Sequence, residues 1–174
     1  MKKQLSHHES KFETRKLPIT LIVDNVTGEA NLGSLFRLAD AFNIEKIVFC
    51  GYEPNLKSNR LKRTARNTHE YVEFEYHEDS LDAVKSFKDS GYLIYSLEIT
   101  KNSIPVEDFE YEPGSKLALV IGNESFGIEE DILENSHKTL HINMYGNNSS
   151  MNVAQATGIA LYEISKSILA FNKK

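Results

Sequence analysis

The stretch Leu117-Ala118-Leu119-Val120-Ile121-Gly122-Asn123-Glu124-Ser125-Phe126-Gly127 decides the fold. Its unbroken apolar run, closed by a glycine, reads as a strand buried on both faces. Further on, Leu140-His141-Ile142-Asn143 reads as a second short strand. Gly146-Asn147-Asn148-Ser149-Ser150-Met151-Asn152 follows it and leads into a long helix over 152–170. Two strand ends closed by Gly and Asn, so near in sequence, make a backbone-lined cleft. Open α/β sheets bind ligands in such clefts, beyond the carboxyl ends of their strands.

Outward from that region, strand and helix signals alternate. Residues 18–24 are β-branched and bounded by Pro and Asp, and read as a buried strand. Leu35, Leu38, Ala39 and Phe42 set a helical period over 32–42. Further strands are expected at 46–50, 71–76 and 93–97, with helices at 81–89 and 129–135. The 71–76 strand alternates and suits an edge. The segment 52–68 is polar and basic. Strands alternating with helices mean a parallel sheet covered on both faces. The expected organisation is a polar arm or helix over 1–17 and one α/β domain over 18–174.

Composition sets limits. A chain of 174 residues with 40% hydrophobic and 26% charged residues suits one globular domain. The net charge of −5 weighs weakly against a nucleic-acid partner, but charge distribution matters more than the sum. Cys50 is the sole cysteine, cannot form an internal disulfide, and is expected to be buried and inert. No apolar run nears the roughly 20 residues of a membrane span. The polar N-terminus lacks the apolar core of a secretory signal, so a cytoplasmic location is expected. No His/Cys/Asp cluster has metal-ligand spacing, and no metal is expected.

The motifs leave alternatives open when taken singly. In Gly28-Glu29-Ala30-Asn31-Leu32-Gly33-Ser34-Leu35-Phe36-Arg37, Asn31 suits a helix cap and Gly33 allows close backbone or ligand approach. Arg37 either points back toward the helix start or is simply solvated. Glu124 is the fixed charge of the 122–127 turn, available to Arg37 or to a polar substrate. Ser150 and Asn152 open the closing helix, where capping is their plainest role. Val153, Ala156, Ala160, Leu161, Ile164 and Ile168 form an apolar stripe that suits core packing or a subunit interface equally. The 122–127 turn has no Lys and no P-loop pattern, which argues against a phosphate-binding enzyme of another kind.

Taken in order, these segments resemble the SpoU/TrmH branch of the SPOUT RNA methyltransferases. The family pattern is an Asn with an Arg six residues on, a strand ending in Gly-x-Glu, then Ile-x-Met and a Ser-x-Asn opening a helix. Here these are Asn31 and Arg37, Gly122 and Glu124, Ile142 and Met144, Ser150 and Asn152. The resemblance spans roughly residues 18 to 170. Many relatives carry Gly after the motif glutamate, where this chain has Ser125 and then Phe126.

The resemblance implies an α/β fold whose C-terminal third is threaded as a trefoil knot, against the usual avoidance of knots. It implies methyl transfer from S-adenosylmethionine to a ribose 2′-hydroxyl of RNA, with tRNA favoured over rRNA. The other reading is a catalytically silent RNA- or nucleotide-binding module of the same fold. By motif position, the cofactor contacts fall at Leu97, Glu98, Gly122, Glu124, Ile142, Met144, Ser150 and Met151. The implied catalytic set is Arg37, Asn31, Glu124, Ser150 and Asn152. Lys57, Arg60, Lys62, Arg63 and Arg66 read either as an ordinary solvated basic loop or as phosphate contacts near Arg37, and phosphate contact is the expectation for an RNA enzyme. The resemblance also implies a homodimer through the closing helix, which tips the 153–168 stripe toward the interface reading.

Overall fold

The computed structural model describes residues 13–171. Most of the polar arm expected over 1–17 lies outside the described residues. Strand β1 (Leu17–Asp24) is followed by helix α1 (Glu29–Ala41) and β2 (Ile44–Cys50). Helix α2 (Asn59–Ala65), β3 (Phe74–His77), α3 (Ser80–Asp89) and β4 (Tyr92–Leu97) come next. The last elements are β5 (Ile104–Pro105), β6 (Lys116–Ile121), α4 (Glu130–Asn135), β7 (Lys138–His141) and α5 (Val153–Phe171).

The strands form one seven-stranded sheet in the order β3-β2-β1-β6-β4-β7-β5. Every pairing is parallel. The central strands are apolar because helices cover both faces. Leu21, Val23, Leu119 and Ile121 pack with Leu32, Leu35 and Phe36 of α1 and Leu161 and Ile164 of α5. Ile22, Val48 and Val120 face the other way, onto Val84 and Phe87 of α3 and Ile132 of α4. Phe36 seats α1 on the sheet, with its ring 5.4 Å from Phe49 and 5.5 Å from Phe74. Burying such a ring stabilises the fold by about 1.5–3 kcal/mol. No helix of the described residues is long and apolar enough to cross a membrane.

The elements differ from expectation at defined places. Helix α1 starts at Glu29, so Asn31 lies inside its first turn and is not its cap. The basic segment contains α2, capped by the Ser58 hydroxyl, which accepts from Arg60 N and Leu61 N. Gly33 is required by this helix, since a Cβ there would strike Thr64 and the Leu61 carbonyl. Strand β7 ends at His141, so Ile142 and Asn143 have already left the sheet. The stripe on α5 faces inward: Ala160, Leu161, Ile164 and Ile168 are all buried in the core. Core packing, not a subunit interface, therefore explains those residues.

Candidate active site

Two turns at the carboxyl edge of the sheet form the site. The first follows β6 and is over-determined. A Cβ on Gly122 would lie 2.5 Å from the Gly127 carbonyl, so only glycine lets the two ends of the turn meet. Gly127 has φ +71, a conformation glycine adopts at little cost. Asn123 organises the interior: its Oδ1 accepts from Ser125 N at 2.8 Å and Phe126 N at 3.2 Å. Its Nδ2 donates to the Asn25 carbonyl at 2.7 Å, tying this turn to the end of β1. Beside it, Glu98 accepts from Ile99 N at 2.9 Å and Ile128 N at 3.2 Å.

The second turn runs from Ile142 to Asn152. Between the turns lies a cavity of about 440 Å³. Leu97, Glu98, Gly122, Glu124, Ile142, Met144, Ser150 and Met151 all line it. These are the positions expected to meet the cofactor, and the fold brings them into one wall. Ile121, Val153 and Ala156 extend the apolar lining. His141 also lines it, with Nδ1 3.0 Å from the Ser103 hydroxyl. The sequence reading missed His141, because an alternating position in a short strand carries no signal of its own.

The first motif reaches this wall through one side chain. Asn31 Nδ2 donates to Glu124 Oε1 at 2.7 Å, and Asn31 Oδ1 accepts from Asn152 Nδ2 at 2.9 Å. Asn152 Oδ1 meanwhile accepts from Ala154 N and Gln155 N, so it caps α5 as well. Asn31 thus links all three motif segments at the edge of the cavity. Glu98 and Glu124 have no ion-pair partner among the described residues. Two fixed carboxylates in a cavity of mixed polar and apolar lining suit a ligand with positive and hydrogen-donating groups.

Arg37 stands apart. It is exposed, does not line the cavity, and pairs with no carboxylate among the described residues. The Glu124 carboxylate is occupied by Asn31 instead. Arg37 lies six residues beyond Asn31 on α1, about 9 Å along the helix axis. Gly33, one turn before it, packs against α2, which puts Arg37 on the α2 side of α1. Lys57, Arg60, Lys62, Arg63 and Arg66 are all exposed and also unpaired among the described residues. Positive charge is therefore concentrated on α2 and beside it, although the chain is acidic overall.

Fold and site together define an α/β protein with a small-molecule pocket at the carboxyl edge of a parallel sheet, next to an uncompensated basic surface. The chain belongs to the SpoU rRNA Methylase family, whose model matches residues 18–162. It is 29% identical over 164 residues to a tRNA (guanosine(18)-2′-O)-methyltransferase of Aquifex aeolicus, covering 94% of this chain and 76% of the relative. The A. aeolicus TrmH/SpoU tRNA modifying enzyme superposes with a TM-score of 0.78 at 27% identity, covering 89% of this chain and 77% of that one. The fold is also that of an AdoMet-bound rRNA methyltransferase from Sinorhizobium meliloti, with a TM-score of 0.78 at 22% identity. That match covers 85% of this chain and 56% of the other.

Proposed function

We propose that this protein methylates a ribose 2′-hydroxyl of RNA, with tRNA the favoured substrate, using S-adenosylmethionine. The observation that carries the reading is the junction of Asn31, Glu124 and Asn152 at the mouth of the cavity. It joins the three segments that the family pattern singles out. The first relative, by its name, acts on guanosine 18 of tRNA, which supports tRNA as the substrate class.

The cavity residues fit the cofactor. Its volume is in the range of small-molecule pockets. Leu97, Ile121, Ile142 and Met151 offer apolar walls, and Gly122 brings main chain into the lining. When bound, S-adenosylmethionine supplies a methyl group on a sulfonium whose leaving group is a neutral thioether. The protein's task is then positioning. Glu98, braced by two backbone amides, and Glu124 meet the ligand's donors and positive charge. Ser150 and Met151 close the cavity from the second turn. Asn31 holds Glu124 in place and keeps α1 in register with the cavity.

Arg37 acts on the RNA side. A guanidinium stays protonated in ordinary buffers and is a poor base, and no carboxylate pairs with it among the described residues. That favours phosphate binding and stabilisation of the developing oxyanion over proton abstraction. The hydroxyl proton passes to water as the oxygen takes the methyl group, so the negative charge that develops on the oxygen is what the guanidinium stabilises. The basic residues of α2 hold neighbouring phosphates. We also infer a homodimer through α5, whose outward face carries Ile159, Tyr162 and Leu169 as exposed apolar residues, and a cytoplasmic location.

Calorimetry with S-adenosylmethionine, with ATP as the control, and labelled methyl transfer to bulk tRNA test the reading together. Binding of S-adenosylmethionine alone, with label in RNA, is expected. Cofactor binding without transfer to any RNA would favour the silent module.

A further inference from the structure

The two turns that wall the cavity each carry an aromatic ring standing clear of the protein. Phe126 is 91% exposed and Tyr145 is 92% exposed. Phe126 lies between the cavity residues Glu124 and Gly127, and Tyr145 directly follows the cavity residue Met144. Each ring therefore projects beside the lining and not into it.

Neither ring has a packing role among the described residues. Phe126 has no ring partner among the described residues, and the Asn123 side chain holds its backbone through the bond to Phe126 N. A braced turn carrying an uncovered ring is pre-organised for a flat apolar surface. Phenylalanine can offer no hydrogen bond, so stacking is what its ring can supply. We propose that Phe126 and Tyr145 stack against bases of the RNA, at and beside the nucleotide whose ribose is methylated. The inference rests on the methyltransferase reading above.

Such a contact suits the chemistry. A ribose is presented to a cavity most readily when its nucleotide leaves the helical stack, as in a single-stranded loop. RNA-binding proteins recover the lost stacking on aromatic side chains. Stacking platforms tolerate any base and lose roughly ten-fold or more in affinity per ring removed. The basic residues near α2 would supply phosphate contact, and the two rings would supply the missing face-to-face contact close to the reacting ribose. The departure at Ser125-Phe126 thereby gains a role on the substrate side.

The test compares Phe126→Ala, Tyr145→Ala, Phe126→Trp and Tyr145→Phe with the wild-type protein, using bulk tRNA and labelled S-adenosylmethionine. The alanine variants are expected to raise the half-saturating tRNA concentration about ten-fold each. Calorimetric affinity for S-adenosylmethionine should stay within two-fold, and the aromatic replacements should restore wild-type behaviour. The salt dependence of tRNA binding should keep its slope, because no phosphate-binding charge is removed. Unchanged tRNA saturation in both alanine variants, with the wild-type protein active, would overturn the stacking alone. So would a drop in cofactor affinity, or a change of oligomeric state in ultracentrifugation, since the rings would then belong to the cofactor pocket or to a subunit contact. A wild-type protein that transfers no methyl group to RNA would overturn the enzymatic reading and this one with it.

Discussion

Asn31 and Glu124, 93 positions apart in the chain, are joined by a 2.7 Å hydrogen bond that ties α1 to the turn after β6. Asn31→Asp keeps the size of the side chain but removes the donor and sets a second carboxylate against Glu124. Leaving such groups unpaired costs about 1–3 kcal/mol. Single-turnover methyl transfer is expected to slow by about ten- to a hundred-fold, with the fold intact by circular dichroism. A wild-type rate in this variant would remove the junction from function.

Gly122 is the tightest point of the site. Gly122→Ala forces a Cβ onto the Gly127 carbonyl 2.5 Å away. Affinity for S-adenosylmethionine should fall at least ten-fold, with a lower melting temperature. Gly146→Ala is the matched comparison, because a Cβ there meets nothing within 4 Å. That variant should bind the cofactor within two-fold of wild type by calorimetry.

The parts of this fold that were legible are those where burial dictates composition. Strands β1 and β6 are apolar over most of their length because helices cover both faces, whereas β3, at the sheet edge, is only partly buried and holds 74–77 instead of 71–76. Helix α2 was hidden, since only Leu61 and Ala65 anchor it and its other residues face water or α1. The stripe on α5 was misassigned because a helix apolar on several sides does not reveal which one points inward. Among site residues, those in the Gly- and Ser-rich turns were readable from turn chemistry and family pattern. The partner of Asn31 was not, because a hydrogen bond between distant segments leaves no local signature. Asn31 looked like a cap, whereas its side chain is engaged across the fold.

The basic segment makes a separate prediction. Replacing Lys62, Arg63 and Arg66 together by Gln removes exposed charges that pair with no acid among the described residues. Affinity for tRNA should weaken, and the log–log salt slope should fall by about 0.7–0.9 for each phosphate no longer neutralised. Filter binding across a salt series checks this. An unchanged slope would make these residues an ordinary solvated surface.

Cys50 should be chemically silent. Burial, reinforced by the nearby Asp24 carboxylate, pushes its thiol from 9.0 up to about 12. The native thiol therefore stays neutral through ordinary buffers and should resist alkylation until the protein unfolds. Because the folded value is the higher one, the neutral thiol's contribution to stability is full below pH 9, where the unfolded thiol is also protonated. It is lost as pH rises from 9 toward 12. Rapid alkylation of native protein at about pH 8, below the ordinary thiol range, would contradict this environment.

The most direct measurement is mass-spectrometric analysis of ribose methylation in RNA treated with S-adenosylmethionine and either the wild-type protein or Arg37→Ala. A 2′-O-methylated nucleoside that appears with the wild-type protein, and is absent with Arg37→Ala while cofactor affinity stays within a few-fold, is the expected result. Methyl groups found only on bases, or no new ribose methylation across total RNA, would contradict the assignment of the site.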